Sequence, residues 1–174
     1  MAWFGTATGK DSLYETLVRA YASELYRFAY WLCRDRAVAE DLVQETCLRA
    51  WKNWHKLSNP KQAKQWLFTI LRREHARLYE QKTPRRVWAE SEPQWEAMAG
   101  QTAMPLLEVR EALAKLPERY RTPLLLQVLG GFSCREIAAI MDASEEAMLA
   151  RVSRARRMMR EILDAQPDYR GIMK

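Results

Sequence analysis

The sequence predicts an all-α fold made of two small helical domains joined by a linker, and three observations support this. Apolar residues recur at three- and four-residue steps along most of the 174-residue chain. Helix-capping residues precede these amphipathic segments. The helical pattern lapses over a long stretch, residues 81–104, which contains two prolines, a glycine and isolated aromatic residues. We therefore predict domains at 1–80 and 105–174, with 81–104 as the linker.

Composition and charge leave the partner open. Hydrophobic residues make up 48% of the chain, enough for a buried core, which excludes disorder throughout. The net charge is +6, from 28 basic and 22 acidic residues. Residues 1–80 carry 13 basic and 9 acidic residues, the linker three of each, and residues 105–174 twelve and ten. Since no segment is strongly basic, local clusters of charge must indicate the partner.

The cysteine pattern predicts neither a disulfide framework nor a metal or cofactor site. The three cysteines are an odd number, are widely spaced and contain no Cys-x-x-Cys pair; they are Cys33, Cys47 and Cys134. Neither histidine, His55 or His75, neighbours a cysteine. The N-terminus has no apolar stretch of signal-peptide length, and the longest apolar stretch is too short to cross a bilayer. We therefore expect a soluble, cytoplasmic protein.

Three amphipathic helices are predicted in residues 1–80. A capping box, in which Ser12 caps the helix and Glu15 reaches back, begins the first. The second begins after Asp35, and the third begins with Asn59 as cap and Pro60 in its first turn. The expected core stripes are Leu13, Leu17, Tyr21, Leu25, Phe28 and Leu32, then Ala39, Leu42, Val43, Cys47, Ala50, Trp51 and Trp54, then Trp66, Leu67, Ile70, Leu71 and Leu78.

Helical signals resume at Pro105. A first stripe ends at Pro117, and Pro123 predicts a kink or a helix start. An apolar segment then ends at Gly130-Gly131, a predicted C-cap. A second capping box, Ser133 to Glu136, begins a short helix, and Ser144 caps a last long helix. The expected core residues are Leu106, Val109, Leu113 and Leu116, then Ile137, Ala138, Ile140 and Met141, then Met148, Val152, Ala155, Met159 and Ile162.

The short helix, the turn at Asp142-Ala143 and the long helix predict a helix-turn-helix, whose second helix enters a DNA major groove. Arg151 and Arg154 fall outside the core stripe, near the start of that helix. Arginine can pair with guanine or clamp a phosphate. Five arginines with no intervening acid indicate DNA binding, although a solvated helix face is the plainer alternative: Arg151, Arg154, Arg156, Arg157 and Arg160. Leu149 lies one step off the stripe, where exposure is expected.

The second helix carries a polar face outside its apolar stripe. Asp41, Gln44, Glu45 and Leu48 share this face, and a mixture of acids, amide and leucine suits docking to a protein helix. An ordinary surface helix is the alternative.

Aromatic residues interleaved with lysines follow, a pattern that suits single-stranded DNA. Trp51 and Trp66 fall on core stripes and are predicted to be buried, whereas Trp54 and His55 are freer. The lysines are Lys52, Lys56, Lys61 and Lys64. On the third helix, a cluster of Arg72, Arg73 and Arg77 suits either phosphate or solvent.

These motifs together resemble extracytoplasmic-function (ECF) sigma factors, the smallest members of the bacterial sigma-70 class, over about residues 12–80 and 106–163. The resemblance to region two rests on Asp41-Leu42-Val43-Gln44-Glu45-Thr46 with Leu48-Arg49-Ala50-Trp51, and on Trp66-Leu67-Phe68-Thr69-Ile70 with Arg72. The resemblance to region four rests on Leu116-Pro117-Glu118-Arg119-Tyr120-Arg121, Gly131-Phe132-Ser133, Glu136-Ile137-Ala138 and Arg151-Val152-Ser153-Arg154-Ala155-Arg156.

The resemblance implies a transcription initiation factor without catalytic activity or a small-molecule substrate. Region two would bind a coiled coil of the RNA polymerase β′ subunit through Asp41, Gln44, Glu45 and Leu48. It would also open the −10 promoter element with Trp54, His55, Lys61, Lys64, Arg72, Arg73 and Arg77. Region four would bind the −35 element with Arg135, Ser144, Ala147, Arg151, Arg154 and Arg157, and would touch the β-subunit flap. The linker would enter the polymerase RNA channels. An anti-sigma factor, able to hold the chain at the membrane, is the expected inhibitor.

Some residues differ from the family pattern, so neither promoter sequence is implied. Arg73 and Arg77 stand where the family often has Asn and Asp, and Asp142 stands where it often has Gly. Ala147 and Leu149 stand where it often has Thr and a basic residue. Two alternatives stay open: a stand-alone helix-turn-helix regulator, and a hydrolase that binds Mg²⁺ through Asp41 and Glu45.

Overall fold

A computed structural model describes residues 9–81 and 103–165 of the chain, with side chains in 13–78 and 108–165. The chain divides into two compact units, Met1–Ala89 and Glu90–Lys174. The predicted linker, 81–104, lies outside the described residues except at its ends. Gln81 is the last residue of one helix, and the next helix begins at Ala103.

Three helices form the first unit: α1 (Gly9–Cys33), α2 (Arg36–Lys52) and α3 (Ala63–Gln81). Two single 3₁₀ turns, Trp54–Lys56 and Pro60–Gln62, connect α2 to α3. Helix α2 begins after Asp35, as predicted. The structure adds that Asp35 caps it, because its carboxylate accepts a hydrogen bond from the Val38 amide at 3.0 Å. Asn59 also acts as a cap, accepting from the Lys61 amide at 3.0 Å, but the turn that it begins is 3₁₀.

The core of the first unit lies between the three helices. The rings of Phe28 in α1 and Phe68 in α3 meet with centroids 5.3 Å apart, and both side chains are wholly buried. Leucines from all three helices surround them: Leu25, Leu32, Leu42, Leu67 and Leu71. The predicted stripes supply Phe28 and these leucines, whereas Phe68 was not among the expected core residues. Burial of this apolar surface is what holds the helices together.

Three expectations for the first unit were wrong. Helix α1 begins at Gly9, so Ser12 lies inside the helix and is not its N-cap. Leu13 is 43% exposed, and its neighbour Tyr14 is buried in its place. Trp51 is 46% exposed although it falls on the α2 stripe. It lies in the last turn of α2, where its ring meets that of Tyr14 edge-on, with centroids 5.1 Å apart.

Four helices form the second unit: α4 (Ala103–Lys115), α5 (Glu118–Val128), α6 (Cys134–Met141) and α7 (Glu145–Asp164). The helix start expected at Pro123 is wrong. Helix α5 begins at Glu118 and continues through Pro123, which is buried inside it. After α5, the predicted glycine cap is confirmed, because Gly131 has a φ of 68°, a conformation that favours glycine.

The helix-turn-helix caps are as predicted. Ser133 and Glu136 form a reciprocal capping box at the start of α6. Asp142 ends that helix in the left-handed region, with a φ of 54°, where an aspartate is tolerated in place of glycine. Ser144 then caps α7 by accepting from the Ala147 amide at 3.2 Å.

The core of the second unit holds the helix-turn-helix together. It contains Leu116, Leu126, Ile137, Ile140 and Met148, all wholly buried, with Val152 and Ala155 of α7 also buried. Of the core residues expected on α7, Met148, Val152 and Ala155 are therefore buried, while Met159 and Ile162 are half-buried. Leu106 lies outside the residues whose side chains are described.

Tyr14 provides a test of the first unit's packing. Its hydroxyl donates to the Cys47 carbonyl oxygen at 2.6 Å, and its ring meets Trp51 and Trp54. We expect Tyr14→Phe to lower the free energy of unfolding in urea by about 1 kcal/mol, because one hydrogen bond between α1 and α2 is lost.

A matched control is Tyr120→Phe, which removes a hydroxyl with no hydrogen bond among the described residues. Burial also raises the pKa of the Tyr14 hydroxyl. The unfolded chain should thus ionise first, and the wild type should lose stability as pH rises above about 10. Equal stability of the two variants and the wild type would contradict this role for Tyr14.

Candidate functional site

The polar face predicted on α2 exists as one continuous surface. Asp41, Gln44 and Leu48 are exposed, and Glu45 is half-buried beside them. They follow one another at three- and four-residue steps, the spacing that places side chains on one side of a helix. The structure therefore brings these four residues together, with carboxylate, amide and apolar groups side by side.

A cleft of about 320 Å³ lies behind this face, between α2 and α3. Arg49 Nε donates a hydrogen bond to Glu45 Oε1 at 2.8 Å. The same nitrogen forms an ion pair with Glu74 Oε1, also at 2.8 Å. Arg77 Nη1 donates to the other oxygen of Glu74, Oε2, at 3.0 Å. The Glu74 side chain is only 9% exposed, whereas those of Arg49 and Arg77 are 38% and 45% exposed. One buried carboxylate is thus held by two partly exposed guanidinium groups.

We call this arrangement the Glu74 network: Glu45, Arg49, Glu74 and Arg77. Sequence analysis missed Glu74 and Arg49, and it assigned Arg77 to a basic cluster. The spacing of Glu74 and Arg77, three residues apart, was the available signal. Because Glu74 of α3 pairs with Arg49 of α2 as well as with Arg77 of its own helix, the network joins the α2 face to α3.

The basic cluster on α3 is divided by these contacts. Arg77 is paired with Glu74, while Arg73 is exposed and forms no ion pair among the described residues. Arg72 is half-buried. The three arginines therefore do not form one uniform cationic surface, and Arg73 is the one whose charge faces solvent unpaired.

The aromatic and lysine residues near the end of α2 also differ from one another. Trp54 is half-buried, with ring centroids 5.3 Å from Tyr14 and 6.1 Å from Trp66. Lys64 pairs with Glu24 at 2.6 Å. His55 and Lys61 are exposed in the two 3₁₀ turns. The exposed indole of this region is Trp51, which was expected to be in the core.

Helix α7 carries the predicted arginines on its outer side, with different contacts. Arg156 Nη2 donates to Gln127 Oε1 of α5 at 2.8 Å, and Arg157 lies 3.7 Å from Glu161. Arg154 is exposed and lies over the Tyr120 ring. Arg151 is half-buried and forms no ion pair among the described residues. Leu149 is exposed, as expected.

The remaining predicted residues of this unit lie on the helix-turn-helix. Arg135 is exposed in the first turn of α6. Ser144 caps α7, and Ala147, whose amide donates to that cap, is half-buried. These positions and the outward arginines therefore belong to one motif.

Within the residues that the structure describes, there is no group of three or more metal-ligating side chains that could hold an ion. Over the same residues, no helix combines the length and apolar character that crossing a membrane requires.

An all-α protein with a helix-turn-helix unit and a separate three-helix unit is the class that these features define. Family models agree: Sigma-70 region 2 matches residues 17–84, and Sigma-70 region 4 matches residues 106–159. The ECF RNA polymerase sigma factor EcfG of Rhodopseudomonas palustris is 35% identical over 166 residues, 91% of this chain and 90% of the relative. SigL of Mycobacterium tuberculosis is 30% identical, covering 90% of this chain and 92% of the relative.

Two solved structures are also similar. The sigma factor RpoE of Bartonella quintana, in complex with the anti-sigma factor NepR, aligns with a TM-score of 0.71 and 28% identity, over 88% of this chain and 98% of RpoE. CnrH, in complex with the cytosolic domain of CnrY, gives a TM-score of 0.70 and 25% identity, over 91% and 92% of the two chains. The chain belongs to the ECF sigma factors of the sigma-70 class, and is an RNA polymerase sigma factor.

The Glu74 network can be tested by stability. Glu74→Gln removes the shared charge and leaves Arg49 and Arg77 facing each other. We expect the free energy of unfolding to fall by about 1–3 kcal/mol, between the values of exposed and buried ion pairs, because the arginines are partly solvated. Urea denaturation followed by circular dichroism measures this change.

Glu40→Gln is the matched control, because Glu40 forms an exposed ion pair with Arg36 within α2. It should leave the unfolding midpoint unchanged. Equal midpoints for the two variants would show that Glu74 does not hold α2 to α3.

Proposed function

We propose that this protein directs promoter-specific transcription initiation by binding core RNA polymerase and two promoter elements. In this proposal, residues 1–80 bind polymerase and the −10 element, 81–104 form the linker, and 105–174 bind the −35 element. The observation that carries it is the order of the two sigma regions along a chain whose helix-turn-helix presents outward arginines. The mechanism is differential binding, in which one domain anchors duplex DNA and the other traps the separated strand.

The α2 face is the proposed contact with the polymerase β′ subunit, made by Asp41, Gln44, Glu45 and Leu48. Its exposure and its mixture of acid, amide and leucine support this assignment. The Glu74 network supports it further, because it holds Glu45 through Arg49 and so reduces the ordering cost of binding.

The proposed −10 surface comprises seven residues, which differ in exposure and in whether an ion pair already holds them. His55, Lys61 and Arg73 are exposed and can meet phosphate directly. Lys64 and Arg77 must exchange a carboxylate for a phosphate, since each is held in an ion pair. Trp54 offers an aromatic face for stacking. The full set is Trp54, His55, Lys61, Lys64, Arg72, Arg73 and Arg77.

The proposed −35 surface is the helix-turn-helix. Arg151 and Arg154 lie one turn apart in the N-terminal half of α7, in its second and third turns, and the N-terminal residues of this helix approach base edges in this motif. The charge of Arg157 is shared with Glu161, which suits a peripheral phosphate contact. The full set is Arg135, Ser144, Ala147, Arg151, Arg154 and Arg157, with the polymerase β flap as a protein contact of the same domain.

An anti-sigma factor is the proposed inhibitor. The similar structures of RpoE and CnrH are both complexes, with NepR and with the cytosolic domain of CnrY. We infer a comparable partner here, acting on a cytoplasmic protein and able to hold it at the membrane.

We also infer that the chain is not an enzyme. The alternative of a Mg²⁺-dependent hydrolase depended on Asp41 and Glu45 as ligands. Glu45 is engaged by Arg49, whose positive charge opposes cation binding at that carboxylate. The contact therefore favours a binding role for this face.

Run-off transcription tests the proposed function. Promoters are first found by sequencing the transcripts that overexpression induces, and then transcribed in vitro with core polymerase. We expect promoter-specific transcripts only when this protein is added. If it binds those promoters by itself but gives no transcript with core polymerase, the stand-alone regulator is the better description.

The β′ contact has its own prediction. Gln44→Ala combined with Glu45→Ala should reduce co-purification with core polymerase at least tenfold, because two polar contacts of one face are removed. Glu111→Ala, which removes an exposed carboxylate on α4, is the control and should bind as the wild type does. Unchanged binding of the double variant, with an intact circular dichroism spectrum, would refute this assignment.

A further inference from the structure

Helices α5 and α7 bring two guanidinium groups to one aromatic ring. Cζ of Arg119 lies 4.9 Å from the centroid of the Tyr120 ring. Cζ of Arg154 lies 5.8 Å from the same centroid. Both distances fall within the range of cation–π attraction, about 6 Å. Arg119 and Tyr120 belong to α5, outside the two helices of the helix-turn-helix.

Neither of these arginines has a carboxylate partner among the described residues. Elsewhere on α7, Arg157 pairs with Glu161 and Arg156 donates to the amide oxygen of Gln127, while Arg151 also forms no ion pair among the described residues. Arg119 and Arg154 are both exposed, and Tyr120 is half-buried. Two unneutralised cations at one ring create a local positive potential, which favours an anion.

The ring also orients the two cations. A guanidinium over an aromatic ring keeps N–H donors free to bind other groups, and those donors match the oxygens of a phosphate. Holding the side chains beforehand lowers the entropy lost when a ligand binds. The ring therefore acts as a support for two donors that point away from the core.

We propose that Arg119 and Arg154 together bind a DNA backbone phosphate, with Tyr120 as the positioning residue. The proposal rests on the proposed binding of α7 to promoter DNA, and it adds a contact from α5. DNA is favoured over an acidic protein because Arg154 lies one turn from Arg151 on the proposed recognition helix. Such a contact fixes the register of the protein on the duplex and does not read sequence.

The test uses the full-length chain and a fluorescently labelled 30-base-pair duplex of arbitrary sequence, titrated at several salt concentrations. We expect Arg119→Ala to weaken binding and to reduce the slope of log K against log salt by about 0.9, the contribution of one phosphate contact. Arg154→Ala should give the same change. The double variant should lose less than the sum, since both act on one phosphate.

Three further variants make the test specific. Tyr120→Phe keeps the ring face and should bind as the wild type does, whereas Tyr120→Leu should weaken binding. Lys115→Ala removes one exposed positive charge from α4 and should leave the slope unchanged. Circular dichroism melting of each variant verifies the fold.

The outcomes separate this inference from the proposed function. If Arg151→Ala weakens DNA binding but Arg119→Ala does not, the phosphate contact is wrong and the proposed function stands. If neither variant changes DNA binding, the proposed role of α7 fails as well. If Lys115→Ala lowers the slope as much as Arg119→Ala, net charge explains the effect and the proposal is overturned. Loss of core polymerase binding without loss of DNA binding would identify an acidic protein as the occupant.

Discussion

Burial of the apolar stripes of helices is the constraint on which both units depend. Helix α6 has eight residues, far below the length at which an isolated helix is stable in water. It persists because Ile137 and Ile140 are buried in the same core as Met148 of α7. The geometry of the helix-turn-helix is therefore a product of packing. The capping box and the left-handed Asp142 fix where α6 begins and ends. The same is true of the first unit, where Phe28 and Phe68 join α1 to α3.

Charge has two different uses in this protein. In the first unit, Glu74 is buried and satisfied by two arginines, so its function is to hold α2 beside α3. In the second unit, Arg119 and Arg154 lack carboxylate partners among the described residues and gather at one ring. Paired cations maintain a surface, and unpaired cations remain available to a ligand. The net charge of +6 conceals this division, because it counts both kinds alike.

Sequence reasoning succeeded where the signal is local. Capping by Ser133 and Ser144 involves residues three positions apart, so the sequence alone reveals it. It failed where contacts between helices determine whether a side chain is buried or where a helix begins. Trp51 is in phase with the α2 stripe, yet it lies in the last turn of α2 and is 46% exposed. The helix start expected at Pro123 is absent. Proline has no amide donor, but the burial of its neighbours in α5 offsets the missing hydrogen bond, so the helix continues.

The sequence by itself determined the class: seven helices in the described residues, the helix-turn-helix, the α2 face, and through its motifs the sigma factor family. These features follow from periodicity and local hydrogen bonding, which depend on neighbours along the chain. The tertiary structure alone decided which charges are paired. Arg49 and Glu74 are 25 residues apart along the chain. They meet at 2.8 Å only when α2 and α3 have packed together. Arg154 lies over the Tyr120 ring, beside Arg119, only because α7 packs against α5. Such contacts depend on how helices pack in space, and no spacing along the chain encodes them.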